Sequence, residues 1–133
     1  MTRCQTRPMT VDDRYNTRLD NKYGQLQIID IPAEVRDHAP WFNQTLTQVN
    51  DCVVRIGIVE GDYHWHKHER EDECFIILDG ELFIDIEGRD TVRLTRHLGI
   101  TIPRGVMHRP RAPSKTVMLM FEGASVTPTG DGG

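Results

Sequence analysis

The chain has 133 residues, which is enough for one domain with a hydrophobic core that needs no disulfide bonds. Apolar residues make up 38% and charged residues 27% of the chain, as in an ordinary globular protein. The formal net charge of -4 argues against a nucleic-acid-binding surface, and no apolar stretch has the length of a membrane helix or forms a secretory signal after Met1.

The three cysteines, Cys4, Cys52 and Cys74, are an odd number without close spacing. This pattern argues against a disulfide framework and favours a reducing compartment, most simply the cytoplasm. Because no cysteine has a Cys-x-x-Cys partner, the sequence also argues against a zinc site built from thiolates.

The first part of the chain is predicted to be an arm followed by a short helix. Residues 1–24 are polar and weakly patterned, which favours a mobile arm or a strand added at a sheet edge. The apolar run Leu26–Ile31 lies at the start of the main domain. Pro32–Ala39 is predicted to form a short helix, with Asp30 near its start and Pro40 at its end.

Strand signals dominate the rest of the predicted domain, residues 25–126. Apolar or alternating runs predict strands at Thr45–Val49, Cys52–Val59, Phe75–Leu78, Glu81–Glu87, Thr91–Leu94, Gly99–Ile102 and Thr116–Phe121. Turns are predicted at Asn50–Asp51, Gly61–Asp62, Asp79–Gly80 and Gly88–Arg89, and Asp79–Gly80 is a strong hairpin signal. Many short strands with almost no helix predict an all-β sandwich or barrel. Residues 127–133 are rich in glycine and are predicted to form a flexible tail.

Three of the six histidines lie together between the second and third predicted strands. His64, His66 and His68 alternate with Trp65 and Lys67, and alternation is the period of a strand, so all three imidazoles are predicted to project from one face. Neighbouring histidines would stand roughly 6.6 Å apart along such a strand, which allows two imidazoles to converge on one ion.

Two further residues complete a candidate ligand set with His66 and His68. Glu73 follows a polar run that suits a turn, so its carboxylate can return to the histidines. His108 follows a turn predicted at Pro103–Gly105, which would hold the ring at a fixed angle. Three nitrogens and one oxygen suit a divalent transition metal (Fe, Mn, Ni, Co or Zn) and not Ca(II) or Mg(II), which prefer oxygen ligands.

The two histidine segments together resemble the two motifs of the cupin superfamily. The first motif is matched by Gly61, His66, His68, Glu73 and Gly80, with one residue fewer than usual between Gly61 and His66. The second motif is matched by Pro103, Gly105 and His108. The resemblance covers roughly Val53–Glu122 and implies a jelly-roll barrel, the cupin double-stranded β-helix, with a metal held by His66, His68, Glu73 and His108. Small single-domain cupins of this RmlC-like kind are commonly homodimers, and some are labelled mannose-6-phosphate isomerase-like on the basis of fold.

The chain departs from the second motif at two places. The usual glycine and acidic residue before the proline are replaced by His97 and Leu98, and the asparagine that often follows the histidine is Ala112. Neither place supplies a ligand in the family pattern. The departures therefore leave the predicted metal site intact and weaken any transfer of substrate specificity.

Other interpretations of the polar residues remain open. A single histidine on a strand is usually a packed or surface residue, and Glu73 could be a plain surface carboxylate in its acidic run. His64 also alternates with His66, but its spacing to Glu73 fits the motif less well, so we interpret it as lying at the rim or behind the ligands. We expect His38 and His97 at the surface, Trp65 packed in the core and Arg109 directed away from the metal.

The sequence favours a metal-dependent enzyme that acts on a small oxygenated molecule, such as a keto acid, sugar or phenolic compound, by isomerase or dioxygenase chemistry. The alternative is a non-catalytic module that binds a metabolite or sugar beside a structural metal, and a metal-free scaffold is a weaker third reading. Neither a Gly-x-Ser-x-Gly nucleophile nor a glycine-rich phosphate loop is present.

Overall fold

The structure, a computed structural model, describes residues 15–125 and Gly130. Within these residues it contains eight strands and one short helix. In chain order they are β1 (Asn16–Arg18), α1 (Ile31–Asp37), β2 (Phe42–Val49), β3 (Cys52–Asp62), β4 (Glu73–Asp79), β5 (Glu81–Ile86), β6 (Arg89–Thr95), β7 (Gly99–Ile102) and β8 (His108–Gly123). The predicted all-β class is confirmed, and the strands form a jelly-roll barrel.

The long strand β8 holds the barrel together. It pairs antiparallel with β3 along most of its length, with β5 through its first residues and with β4 through its last residues. The remaining strands extend the sheet as β1-β2-β3 on one side and β4-β7 on the other, while β6 pairs with β5. The strands β3, β4 and β5 therefore pair directly with β8, and β2, β7 and β6 each pair with one of these three.

Apolar side chains fill both faces of the central strands. Inside the barrel, Phe75, Ile77 and Met118 are among the buried residues of one cluster. On the opposite face, Phe42 and Ile58 belong to a second cluster that α1 partly covers. Because β3 is buried on both faces, its sequence is a nearly continuous run of apolar residues rather than an alternation.

The helix α1 begins close to its predicted start. The Asp30 carboxylate caps it by accepting a hydrogen bond of 3.0 Å from the backbone N–H of Ala33, and Pro32 occupies the first turn. The carboxylate of Glu34 is buried and contacts Lys22 Nζ at 2.7 Å and the Tyr23 hydroxyl at 2.6 Å. In the part of the chain described, no helix has the length and apolar character needed to span a membrane.

The hairpin predicted at Asp79–Gly80 is wrong. The strands β4 and β5 follow each other in the chain but do not pair, because each of them pairs with a different part of β8. Gly80 has a φ of +94° and packs against β8, where a Cβ atom would lie 2.5 Å from Thr116 Oγ1 and 2.8 Å from the Lys115 carbonyl oxygen. The glycine is thus required by a close approach to β8 and not by a two-residue turn.

Three other predictions are corrected at the ends of strands. Gly61–Asp62 is not a turn, since β3 continues through both residues with a bulge at this point. The histidine segment is extended but lies outside the strands, and its one bridge joins His66 to His108. The last strand begins at His108 and not at Thr116. By contrast, the hairpin predicted at Asn50–Asp51 is confirmed by the pairing of β2 with β3.

On the outer face of the barrel, Asp85 links β5 to β8. Its carboxylate accepts hydrogen bonds from Arg111 Nε at 2.8 Å, Arg109 Nη2 at 2.9 Å and the Thr91 hydroxyl at 2.7 Å. The Arg111 guanidinium outweighs the effect of burial and, with Thr91 and Arg109, holds the pKa of Asp85 well below its ordinary value.

Replacing Asp85 by Asn is expected to lower the free energy of unfolding by about 1–2 kcal/mol at neutral pH, because the hydrogen bonds from Arg109 and Arg111 lose the charge of their acceptor. The folded-state pKa is depressed, so this contribution is complete above the unfolded pKa of about 3.9 and is lost as the pH falls below it. Urea unfolding of wild type and Asp85→Asn at neutral and acidic pH measures the difference. Asp90→Asn, at an exposed position of β6, is the control, and a difference that grows towards acid would contradict the prediction.

Candidate metal centre

Two distant segments meet at the candidate site through their backbones. His66 and His108 exchange two N–H···O=C hydrogen bonds, each of 2.9 Å, and the backbone N–H of Gly105 donates to the carbonyl oxygen of His68 at 2.7 Å. Glu73 is the first residue of β4 and faces the barrel interior. The sequence places these residues on three separate parts of the chain, and the pairing of β8 with β4 and with the histidine segment brings them together.

The side chains of His66, His68, Glu73 and His108 form one buried group. Their exposed fractions are 5%, 3%, 3% and 1%. One ligand atom each of His66, His68 and Glu73 lies within 4.8 Å of the others. Glu73 Oε1 is 3.3 Å from His68 Nε2 and 3.6 Å from His108 Nε2, and the rings of His66 and His108 are 4.4 Å apart between centroids. The four residues that the sequence analysis selected therefore surround one small volume.

Several atoms of this group are buried without a hydrogen bond. Among the described residues, His68 Nε2, His108 Nε2 and Glu73 Oε1 have no hydrogen-bond partner. Buried polar atoms are rarely left in this state, because each one loses its hydration without compensation. The donor set of imidazole nitrogens and a carboxylate oxygen fits a divalent transition metal, which would satisfy these atoms at once.

Backbone carbonyl groups orient two of the rings. His108 Nδ1 lies 2.9 Å from the carbonyl oxygen of Val106, and His66 Nδ1 lies 3.1 Å from that of His64. Each Nδ1–H donates to its carbonyl, which places the lone pair of the neutral imidazole on Nε2. Burial, reinforced by the neighbouring His108, lowers the pKa of His66 to about 4, so this ring is neutral at physiological pH.

Glu73 has a charged neighbourhood that sequence analysis did not detect. Glu122 lies opposite Glu73 in the β4–β8 pairing and hydrogen-bonds to it, and Arg55 Nη1 contacts Glu122 Oε2 at 2.5 Å. Burial would raise the pKa of Glu73, but Glu122 together with His108 and His68 holds that pKa well below its usual range. Burial and the Glu73 carboxylate raise the pKa of Glu122 above its usual value despite Arg55.

Glu122 and Arg55, which the sequence analysis did not select, are only weakly indicated by the sequence. Met118, Met120 and Glu122 alternate along β8 and share its inner face, so a charged residue follows two apolar core positions. Arg55 similarly interrupts the apolar run of β3, and its Nε donates to Thr45 Oγ1 at 3.0 Å. A buried charge of one sign predicts a partner of the other sign, but only the strand register shows which one.

The other histidines of the described chain and Trp65 lie beside this group or away from it. His64 is half-buried and stacks on Tyr63, with the ring centroids 4.4 Å apart. Trp65 is 46% exposed under the Arg109 guanidinium, so the prediction that it packs in the core is wrong. His97 is exposed as expected, whereas His38 is half-buried and stacks on Phe42.

A cavity inside the barrel reaches the donor group. Its volume is about 40 Å³, and His66 and Glu73 are among the residues that line it. Tyr15, Trp41 and Tyr63 form an aromatic wall, with ring centroids 4.5 to 5.5 Å apart. The cavity therefore lies beside two of the donor residues and against aromatic rings.

Comparison with known proteins gives consistent results. Residues 53–122 match the family described as cupin domain. Uncharacterized protein YdbB of Bacillus subtilis (strain 168) is 40% identical over 96 residues, which are 71% of this chain and 82% of YdbB. The crystal structure of a cupin-2 domain containing protein from Shewanella frigidimarina NCIMB 400 is 27% identical and superposes with a TM-score of 0.68, over 72% of this chain and 94% of that one. Ectoine synthase from P. lautus, at 18% identity and a TM-score of 0.53 over 58% of this chain and 56% of its own, shares the fold.

Replacing Arg55 by Met is expected to lower the free energy of unfolding by about 3–5 kcal/mol, because the buried pair of Glu73 and Glu122, which carries negative charge, loses its counter-charge. Arg93→Met is the matched control, since Arg93 pairs with Glu81 at the surface and its loss is expected to cost less than about 1 kcal/mol. Urea unfolding of the two metal-free variants measures both values. Equal small losses would contradict the role of Arg55 as a buried counter-charge.

Proposed function

Since this chain belongs to the cupin domain family, we propose that it is a metal-dependent enzyme that acts on a small oxygenated metabolite. His66, His68, Glu73 and His108 are the proposed ligands of one divalent transition metal. The observation that carries the proposal is the convergence of buried donor atoms that lack hydrogen bonds beside a cavity inside the barrel.

The charges of the donor group suit this role. One carboxylate leaves a divalent ion with a net positive charge, and three neutral imidazoles do not change it. When bound, the ion supplies Lewis-acid stabilisation of negative charge on a substrate oxygen and, if it is redox-active, access to dioxygen chemistry. Isomerase and dioxygenase reactions on keto acids, sugars or phenolic compounds all fall within this chemistry.

The chain's own residues contribute orientation and the exclusion of water. The carbonyl groups of His64 and Val106 hold two imidazoles with Nε2 directed at the centre. Glu122 holds the Glu73 carboxylate through a hydrogen bond, and Arg55 fixes Glu122 in turn. The mostly apolar cavity limits water beside the donor group, which strengthens every electrostatic interaction there.

A non-catalytic binding module is the second candidate. Of the described residues that line the cavity, the only strong acid or base groups are His66 and Glu73, which are proposed ligands. A reaction that needs a separate general acid or base would have to use a tyrosine hydroxyl or water. Oxygen-consumption and isomerase assays on the iron and manganese forms distinguish the candidates, because ligand binding without turnover would favour the module.

The homodimer and the cytoplasmic location that the sequence analysis expects stay predictions. Both are part of the proposed function, and gel filtration with light scattering would measure the first of them.

Replacing His68 by Ala is expected to reduce bound metal at least about tenfold, because the site loses one of its donor atoms. His108→Ala is expected to have the same effect. Protein equilibrated with zinc and then dialysed is measured by elemental analysis. His97→Asn is the control, since His97 is exposed with a φ of +72°, a conformation that Asn tolerates. Full occupancy in His68→Ala and His108→Ala would refute the ligand assignment.

A further inference from the structure

We propose that Gly130 is a positioning residue of the metal centre, and that its lack of a side chain allows the His66 ring to keep its orientation towards the other donors. The inference rests on the proposed function, because His66 is one of the four proposed ligands. It adds a residue that lies outside both histidine motifs, in the glycine-rich segment 127–133. The structure describes Gly130 within that segment, and this glycine is buried.

Gly130 packs directly against the side chain of His66. A Cβ atom built at Gly130 would lie 2.6 Å from His66 Cβ, 3.1 Å from its Cδ2 and 3.2 Å from its Cγ. Because the bond from Cα to Cβ is about 1.5 Å long, Gly130 Cα lies within about 4 Å of His66 Cβ, which is van der Waals contact. Any L side chain at this position would therefore overlap with a proposed ligand.

The structure leaves His66 little freedom to move aside. Its backbone N–H and carbonyl groups are both hydrogen-bonded to His108 at 2.9 Å. Its ring lies 4.4 Å from the ring of His108 and 5.2 Å from that of Tyr63, between centroids. The closest overlap involves Cβ, which no rotation of the side chain moves. A larger residue at position 130 therefore either shifts the backbone at His66 or loses its place against the ring.

The contact acts on the edge of the ring that leads to the donor atom. His66 Nδ1 lies 3.1 Å from the carbonyl oxygen of His64, and Cδ2, which is bonded to Nε2, faces Gly130 on the other edge. Rotation about the Cβ–Cγ bond of a histidine has broad minima, so one hydrogen bond leaves the ring some freedom. Packing on the Cδ2 edge adds a second restraint. Together they hold Nε2 towards the donor atoms of His68 and Glu73.

Gly88 provides a matched control. Both glycines have a positive φ, +99° at Gly130 and +83° at Gly88, which L residues rarely adopt. A Cβ atom at Gly88, in the turn between β5 and β6, would meet no atom within 4 Å. Gly88→Ala therefore has the backbone strain alone, whereas Gly130→Ala has the same strain and the overlap with His66.

The experiment titrates Co(II) into wild type, Gly130→Ala and Gly88→Ala and follows the visible absorption. The ligand-field bands of Co(II) report the donor geometry, which a general loss of stability does not change. We expect Gly130→Ala to shift these bands and to raise the Kd for Co(II) about tenfold, as for other residues that orient a ligand. Gly88→Ala is expected to keep the wild-type bands and a Kd within about twofold of wild type.

A second measurement uses the metal-free protein. The NMR signal of the His66 Cδ2–H group, identified by its loss in His66→Gln, reports directly on the atom that faces Gly130. We expect this signal to move in Gly130→Ala and to stay in place in Gly88→Ala.

The outcomes separate this inference from the proposed function. If wild type binds Co(II) stoichiometrically and the bands of Gly130→Ala equal those of Gly88→Ala, the inference is overturned and the metal site stands. If wild type does not bind Co(II), the proposed function fails. The NMR signal then decides whether Gly130 orients His66: a shift confined to Gly130→Ala supports that role, and equal signals in the two variants overturn it.

Discussion

The candidate centre depends on a two-residue backbone contact, in which His66 and His108 exchange a pair of hydrogen bonds. This contact ties an extended segment that belongs to no strand to the first residue of the long strand β8. Because β8 also pairs with β4, which begins at Glu73, the same strand brings the carboxylate to the imidazoles. The positions of the donors therefore follow from strand pairing and not from contacts between the donors themselves.

A second constraint is the burial of charge inside a mostly apolar barrel. Glu73, Glu122 and Arg55 form a chain of buried polar groups in which Arg55 is the counter-charge of the two neighbouring carboxyl groups. Such a chain fixes the Glu73 carboxylate in place. Arg109 and Arg111 are bound to Asp85 on the outer face. The charged groups inside the barrel are therefore separate from those on its outer face. The cavity is lined mainly by aromatic and apolar side chains.

The errors of sequence analysis have specific physical causes. Asp79–Gly80 has the composition of a hairpin turn, but the glycine is there because β8 approaches its backbone too closely for a side chain. Trp65 has a large apolar side chain of the kind that usually packs in a core. Because side chains alternate along the extended segment, however, Trp65 points away from the buried histidines and lies at the surface. Arg55 and Glu122 were overlooked because each is one charge within an apolar strand, and nothing in the local pattern joins them. Each error concerns a contact between residues that are distant along the chain.

By itself the sequence determined the all-β class, the places of seven strands and the choice of His66, His68, Glu73 and His108 as residues that belong together. It could do so because alternation and the spacing of histidines are local properties that strand geometry imposes on neighbouring residues. Only the tertiary structure decided that β4 and β5 pair with β8 and not with each other, that Glu122 and Arg55 support Glu73, and that Asn43 and Trp41 share a cavity with the donor group. These relations depend on the register between strands, and a register is set by the packing of the whole core and not by any one segment.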